Sequence, residues 1–264
     1  MNVRPKKALG QHFLIHKHIA DDIAGALTFH TGYSRYLEIG PGTGALTRCL
    51  LEQHPNKELF VVEIDRDSVA YLKANKVVPN DHIIEADFLR TDLRGTLGDH
   101  FGVTGNFPYN ISTQILFRVF EQRDQIPEVV GMFQKEVAER IASGPGTKDY
   151  GILSVFLQLF YDIEYLFTVP AEAFDPPPKV LSGVIRLKRN STIDPGCDVK
   201  RFTQVVKTAF NQRRKMMRVS LKSMLPPGSE LPAHFATERP EQLTSLQFVE
   251  LTNYLAALPS DSTQ

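Results

Sequence analysis

Cysteine is scarce in this chain: among 264 residues only Cys49 and Cys197 occur. They form no CxxC pair and no metal-ligand spacing, which excludes a disulfide-stapled scaffold and gives no reason to expect a metal. Two isolated thiols read as small buried hydrophobes in a protein of a reducing cytosol. Long apolar runs are missing as well. No stretch approaches the roughly 20 apolar residues of a membrane span. The longest runs, such as Leu59 to Val62, have strand length. The basic start from Met1 to Gly10 leads into no apolar segment, so no secretory signal is expected. These absences point to a cytoplasmic protein with no membrane partner. Net charge is also absent, because 30 basic residues balance 30 acidic ones. Neutrality taken alone argues against a polyanionic partner, but the charge is segregated. Residues 1–20 hold Arg4, Lys6, Lys7 and Lys17 and no acid. Residues 199–222 hold Lys200, Arg201, Lys207, Arg213, Arg214, Lys215, Arg218 and Lys222, again with no acid. Such segments can form a polyanion-binding face.

What is present is an ordinary globular composition, 42% hydrophobic and 23% charged, in a length that fits one large domain with a small second one. Apolar periodicity predicts a helix over 17–29, then strands at 36–40, 59–64, 82–86, 102–106 and 129–134. Helices at 44–53, 67–75, 112–122 and 135–143 alternate with them, the third with Ser112 as its N-cap. Gly144-Pro145-Gly146 breaks the pattern, a helix follows at 150–160, and two strands at 161–168 and 183–188 close the series. Alternation of this kind predicts an α/β, Rossmann-like fold with a mostly parallel sheet. After Asn190 only helices are expected, at 199–211, 215–224 and 245–257, so the predicted domains are 1–190 and a small all-α domain at 191–264.

Four motifs sit at the expected carboxyl ends of strands, where ligands bind in open α/β sheets. Glu38-Ile39-Gly40-Pro41-Gly42-Thr43-Gly44 is a glycine-rich turn that brings backbone close to a ligand. Glu63, after the second strand, can accept hydrogen bonds from both hydroxyls of a ribose, while the adjacent Asp65 can cap the following helix. Asp87-Phe88 pairs an acceptor for an adenine amino group with an apolar cover for its ring. Asn106-Phe107-Pro108-Tyr109 carries the most chemistry. An adenine amine is a poor nucleophile because its lone pair is delocalised into the ring. The Asn106 side-chain carbonyl and a backbone carbonyl near Pro108 can accept from that amine and favour a pyramidal nitrogen. Tyr109 offers a flat face to an extruded base. A site of this kind acts by orientation and electrostatics, without a metal or a strong base.

Taken together these residues resemble the rRNA adenine dimethyltransferases, nearest the bacterial small-subunit type whose loss gives kasugamycin resistance. The resemblance also rests on Leu9-Gly10-Gln11-His12-Phe13-Leu14, on Gln134 to Arg140, on Tyr150-Gly151, and on Phe174 with Pro176-Pro177-Pro178-Lys179-Val180. It continues in Ser182 and Val184 and in Ala209-Phe210-Asn211-Gln212-Arg213-Arg214-Lys215. It implies a methyltransferase sheet using S-adenosyl-L-methionine, held by His12, Leu14, Gly40, Gly42, Glu63, Asp87, Phe88 and Asn106. It implies Asn106, Pro108, Tyr109 and Phe174 around the target base, with Phe174 opposite Tyr109. The acceptors it implies are two adjacent adenosines near the 3′ end of 16S rRNA within an assembling 30S subunit, each dimethylated by a monomeric enzyme. Arg213, Arg214, Lys215, Arg218 and Lys222 are expected to grip phosphates, with Lys6, Lys7 and Lys179 as candidate additions to that track. Three alternatives stay open at this point. They are the same chemistry on 23S rRNA, a non-catalytic ribosome-assembly factor, and a nicotinamide-dependent dehydrogenase, which leaves Asn106 to Tyr109 without a purpose.

Overall fold

A computed structural model describes residues 3–259. Nine strands occur among them: β1 (Phe13–Leu14), β2 (Arg35–Ile39), β3 (Glu58–Glu63), β4 (Ile83–Glu85), β5 (Phe101–Asn106), β6 (Glu128–Gln134), β7 (Tyr161–Val169), β8 (Phe174–Asp175) and β9 (Ser182–Arg189). Seven of them form one sheet in the order β4-β3-β2-β5-β6-β9-β7. The first five are parallel neighbours, and β9 lies antiparallel to β6. β1 and β8 make a separate antiparallel ribbon, with Phe13 opposite Asp175 and Leu14 opposite Phe174. The helices are α1 (Lys17–Gly25), α2 (Ala45–Gln53), α3 (Arg66–Ala74), α4 (Arg94–Leu97), α5 (Ser112–Glu121), α6 (Lys135–Ala142), α7 (Ile152–Gln158), α8 (Val199–Asn211), α9 (Met217–Ser220), α10 (Ala233–Ala236) and α11 (Ser245–Ala257). Among the described residues no helix is long and apolar enough to cross a membrane.

The described residues divide into two compact units, 3–139 with 162–189 and 140–161 with 190–259. In the first, parallel strands buried on both faces read as continuous apolar runs, as in Leu59-Phe60-Val61-Val62. The i, i+4 spacing of Ile19 and Ile23 on α1 and of Leu46 and Leu50 on α2 turns one face of each helix into a core with Tyr36, Leu59 and Val61. Each fully buried Leu or Ile there contributes roughly 1.5–3 kcal/mol. The buried Glu128 of β6 accepts from the Thr28 amide at 3.0 Å, the Thr28 hydroxyl at 2.7 Å, the His30 amide at 3.2 Å and the Tyr33 hydroxyl at 2.7 Å. A single carboxylate thereby closes the turn that feeds β2.

The second unit differs from the expected boundary at 190, because α7 and the loop before it belong with the C-terminal helices. Their polar groups find partners there. The Gly146 amide donates to the Glu241 carbonyl at 2.7 Å, and the Ser245 hydroxyl to the Val155 carbonyl at 2.9 Å. The Phe156 ring meets that of Phe202 on α8 at 5.8 Å. Asp198 caps α8 by accepting from the Arg201 amide, and Thr244 with Gln247 forms a capping box on α11. Ser112 does not cap α5. It is the first helical residue, and its hydroxyl donates to the Tyr109 carbonyl at 3.2 Å. The helix expected over 215–224 is α9 followed by a short 3-10 turn at Lys222–Met224.

One acid sits in the middle of the first unit. Burial pushes the Glu38 carboxyl of β2 up to about 8, with Glu63 adding repulsion and the Thr47 hydroxyl, 2.6 Å away, opposing the shift. The folded state therefore holds a proton that the unfolded chain releases near its ordinary value of 4.5. The associated stability is complete below that value and is lost as pH rises to about 8. Glu38→Gln keeps an acceptor for Thr47 and removes the titration. Urea unfolding at pH 5 and pH 8 should show the variant gaining about 1–3 kcal/mol on the wild type between the two.

Candidate active site

β2 has β3 on one side and β5 on the other, so the chain leaves the ends of β2 and β5 towards opposite faces and a crevice opens between them. The glycine turn after β2 forms one wall. Gly40 and Gly42 have φ of +67° and +56°, a backbone that side-chain-bearing residues rarely adopt. A Cβ on Gly42 would also lie 2.8 Å from the Phe13 ring. The turn after β5 forms the opposite wall, and the Pro108 ring stands 3.7 Å from where a Gly40 Cβ would lie. His12, Leu14, Gly40, Gly42, Glu63, Asp87, Phe88 and Asn106 all line the resulting cleft, as do Pro108 and Tyr109.

Segment 6–15 lies along this cleft and is fastened at several points. Lys6 pairs with Asp65 and, at 2.7 Å, with Asp67. Gln11 donates to Asp65 at 3.2 Å, and the Ile15 amide donates to the Ala173 carbonyl at 2.9 Å. His12 Nδ1 lies 2.7 Å from the Pro176 carbonyl oxygen and, to make that bond, carries the proton. Asp65 does cap α3, accepting from the Asp67 amide and the Ser68 hydroxyl as well. Lys6 is thus committed to a latch of this segment and is not free for phosphate.

Asn106 Nδ2 donates to the His12 carbonyl at 2.8 Å. A carbonyl can only accept, so this bond fixes which end of the carboxamide is nitrogen and leaves Oδ1 as an acceptor. The Tyr109 hydroxyl shares a 2.5 Å hydrogen bond with the buried Ser182, and its ring stacks with His12 at 5.5 Å and 28°. Burial raises the phenol above its usual value, so Tyr109 is neutral at physiological pH. Glu63 accepts from the amides of Gly42, Ile64 and Asp65 at 3.1, 2.9 and 2.9 Å. Burial pushes its carboxyl up, and those amides oppose the shift. Asp87 accepts from the Leu89 amide at 2.9 Å, and the Arg118 guanidinium lies 5.2 Å from the Phe88 ring. A cradle free of Cβ atoms, a carboxylate where a ribose would sit and a second carboxylate one strand further along suit a nucleoside-bearing donor.

Two expected residues have partners that the sequence did not announce. Phe174 is not among the residues that line the cleft. Its ring is 2% exposed and belongs to the core with Leu14, its partner in the β1–β8 ribbon. Arg213 hydrogen-bonds the carbonyls of Thr147 and Lys148 and lies 3.9 Å from Glu241, so it clamps a loop of its own unit. Arg214, Lys215, Arg218 and Lys222 are exposed around α9, next to the exposed Met216 and Val219. The roles of Ser182 beneath Tyr109 and of Asp65 as a latch point were not legible beforehand. A lone serine and a helix-capping aspartate carry no sequence signal for contacts made more than 50 residues away.

Residues 2–257 match the family described as ribosomal RNA adenine dimethylase. Relatives called ribosomal RNA small subunit methyltransferase A, from Cytophaga hutchinsonii and Parabacteroides distasonis, are each 54% identical. The alignments cover 96% of this chain and 98% of the first relative, and 95% of this chain and 93% of the second. A dimethyladenosine transferase from Plasmodium falciparum shares the fold with a TM-score of 0.75 at 23% identity, over 93% of this chain and 98% of that one. The 23S rRNA methyltransferase ErmE does so with a TM-score of 0.62 at 24% identity, over 91% and 99%. With a family match across nearly its whole length and relatives above half identity, the chain belongs to the ribosomal RNA adenine dimethylase family.

Proposed function

We propose that this protein uses S-adenosylmethionine to dimethylate the exocyclic amines of two adjacent adenosines near the 3′ end of 16S rRNA, acting as a monomer on an assembling 30S subunit. The Asn106–His12 hydrogen bond carries this reading, because it aims an uncharged acceptor into the cleft at the end of β5. When bound, the cofactor supplies an electrophilic methyl group. Glu63 would hold its ribose, Asp87 the adenine amino group, Phe88 the ring, and the Gly40–Gly42 backbone the remainder. Oδ1 of Asn106 and the carbonyl beside Pro108 accept from the target amine and leave its lone pair directed along the cleft. Tyr109, anchored through Ser182, presents a neutral ring for the base to stack on. The methylated aminium is acidic and releases its proton to water, so no residue has to act as a strong base.

The exposed cations Arg214, Lys215, Arg218 and Lys222 would bind rRNA phosphates, a contact independent of sequence and sensitive to salt. Lys179, exposed beside the proline run, is a further candidate for a phosphate contact. Arg213, engaged with the carbonyls of Thr147 and Lys148, would act first on the loop of its own unit.

Incubating the protein with labelled donor and unmethylated 30S particles, and mapping the modified adenosines, tests the reading. Label in two neighbouring 3′-terminal adenosines is expected, and preferential labelling of free 23S rRNA overturns it. Asn106→Ala should stay folded by circular dichroism yet lose about 100-fold or more in kcat, the scale of one preorganised transition-state contact. Reversing Arg214, Lys215 and Arg218 together to Glu should weaken 30S binding and reduce the slope of log affinity against log salt by about 2–3. Donor affinity, read by calorimetry, should stay within about two-fold in the same variant.

A further inference from the structure

β5 and β6 each carry a glycine in a buried interior, where a side chain would ordinarily pack. These two glycines are register partners: Gly105 lies opposite Gly131, and Asn106 opposite Met132. The chain continues the ladder by one more bond, from the Phe107 amide to the Met132 carbonyl at 3.2 Å. The Phe107 ring then lies over the pair of glycines. A Cβ on Gly131 would come within 2.2 Å of Phe107 Cε2 and 2.9 Å of Cδ2 and Cζ. A Cβ on Gly105 would come within 2.9 Å of Cε1, and also within 2.7 Å of the Ile39 carbonyl oxygen. Phe133 closes the slot edge-on, 5.0 Å away at 67°, and Phe107 is 1% exposed.

The ring is therefore held on backbone on one side and on an aromatic edge on another, and its immediate neighbours in sequence are Asn106 and Pro108-Tyr109. We infer that Phe107 is a positioning residue. Its ring, seated in the Gly105–Gly131 slot, sets where the Asn106 carboxamide and the Tyr109 ring stand in the cleft, so turnover depends on the match of ring to slot. This inference rests on the proposed methyl transfer at Asn106. The two transfers should feel a mismatch unequally. The unmodified amine has two N–H groups to donate, but the monomethylated amine has one. The second transfer is oriented by fewer contacts and suffers more from a displaced acceptor.

The test compares Gly131→Ala, Phe107→Leu and the double variant on unmethylated 30S particles. It reads kcat, KM for donor, and the ratio of monomethyl- to dimethyladenosine by mass spectrometry. Gly131→Ala should lower kcat by about ten-fold or more, with KM within about two-fold, and leave monomethyladenosine as the main product. Phe107→Leu should lower kcat by about three- to ten-fold with the same shift in product, because it leaves a cavity beneath the turn. In the double variant the new methyl group fills that cavity, so kcat should return to within about three-fold of wild type with dimethyladenosine restored. Gly105→Ala should not be rescued by Phe107→Leu, because the Ile39 carbonyl still blocks its Cβ. A double variant no faster than Phe107→Leu, or unchanged product ratios in both single variants, overturns the inference. If Gly131→Ala fails to fold, the comparison of Phe107→Leu with the double variant decides alone. A wild-type protein that transfers no methyl group would instead overturn the proposed function.

Discussion

Strand β2 is bonded in parallel on both of its edges, and the site depends on that arrangement. Right-handed crossovers from β2 to β3 and from β5 to β6 must lie on opposite faces of the sheet, which opens a crevice at the carboxyl ends of β2 and β5. Two short turns, Gly40 to Gly44 and Asn106 to Tyr109, face each other there because neighbouring strands end at the same height. Their closeness is steric as well as topological, since Pro108 lies against the one place where β2 exits without a side chain.

A crevice of this kind is open to water, and segment 6–15 changes that. It is tied at one end to Asp65 through Lys6 and Gln11, and at the other to the β8 region through His12, Ile15 and the β1–β8 ribbon. Its middle reaches Asn106 through the His12 carbonyl. The segment that covers the cleft is therefore the same segment that sets the direction of the Asn106 acceptor. Cover and orientation therefore depend on one segment, through the bond from Asn106 to the His12 carbonyl.

The order of strands and helices in the first unit was readable because buried parallel strands and amphipathic helices have different periods, and the glycine turn and Asn106 to Tyr109 announce themselves by composition. What escaped was contact over long sequence separation. The β1–β8 ribbon has two residues per strand, too few to show alternation, and Phe174 looked like a free aromatic until its partner Leu14 drew it into the core. Arg213 resembled its basic neighbours because charge alone does not reveal that backbone carbonyls 65 residues away will engage it. Residues 140–161 looked like a continuation of the α/β series. Their bonds to Glu241 and Ser245 place them with the C-terminal helices. Gly131 gave no hint of its use, since a glycine in a strand is meaningful only once the ring lying over it is known.

The charge balance of the cleft follows from the same burial. Glu38 and Glu63 both line it, and burial raises both carboxyls. Burial makes each costly to ionise, and the amides of Gly42, Ile64 and Asp65 offset part of that cost for Glu63. Among the residues lining the cleft, none is a lysine or an arginine. An acidic lining without a lysine or an arginine suits a cofactor that bears positive charge better than an anionic one.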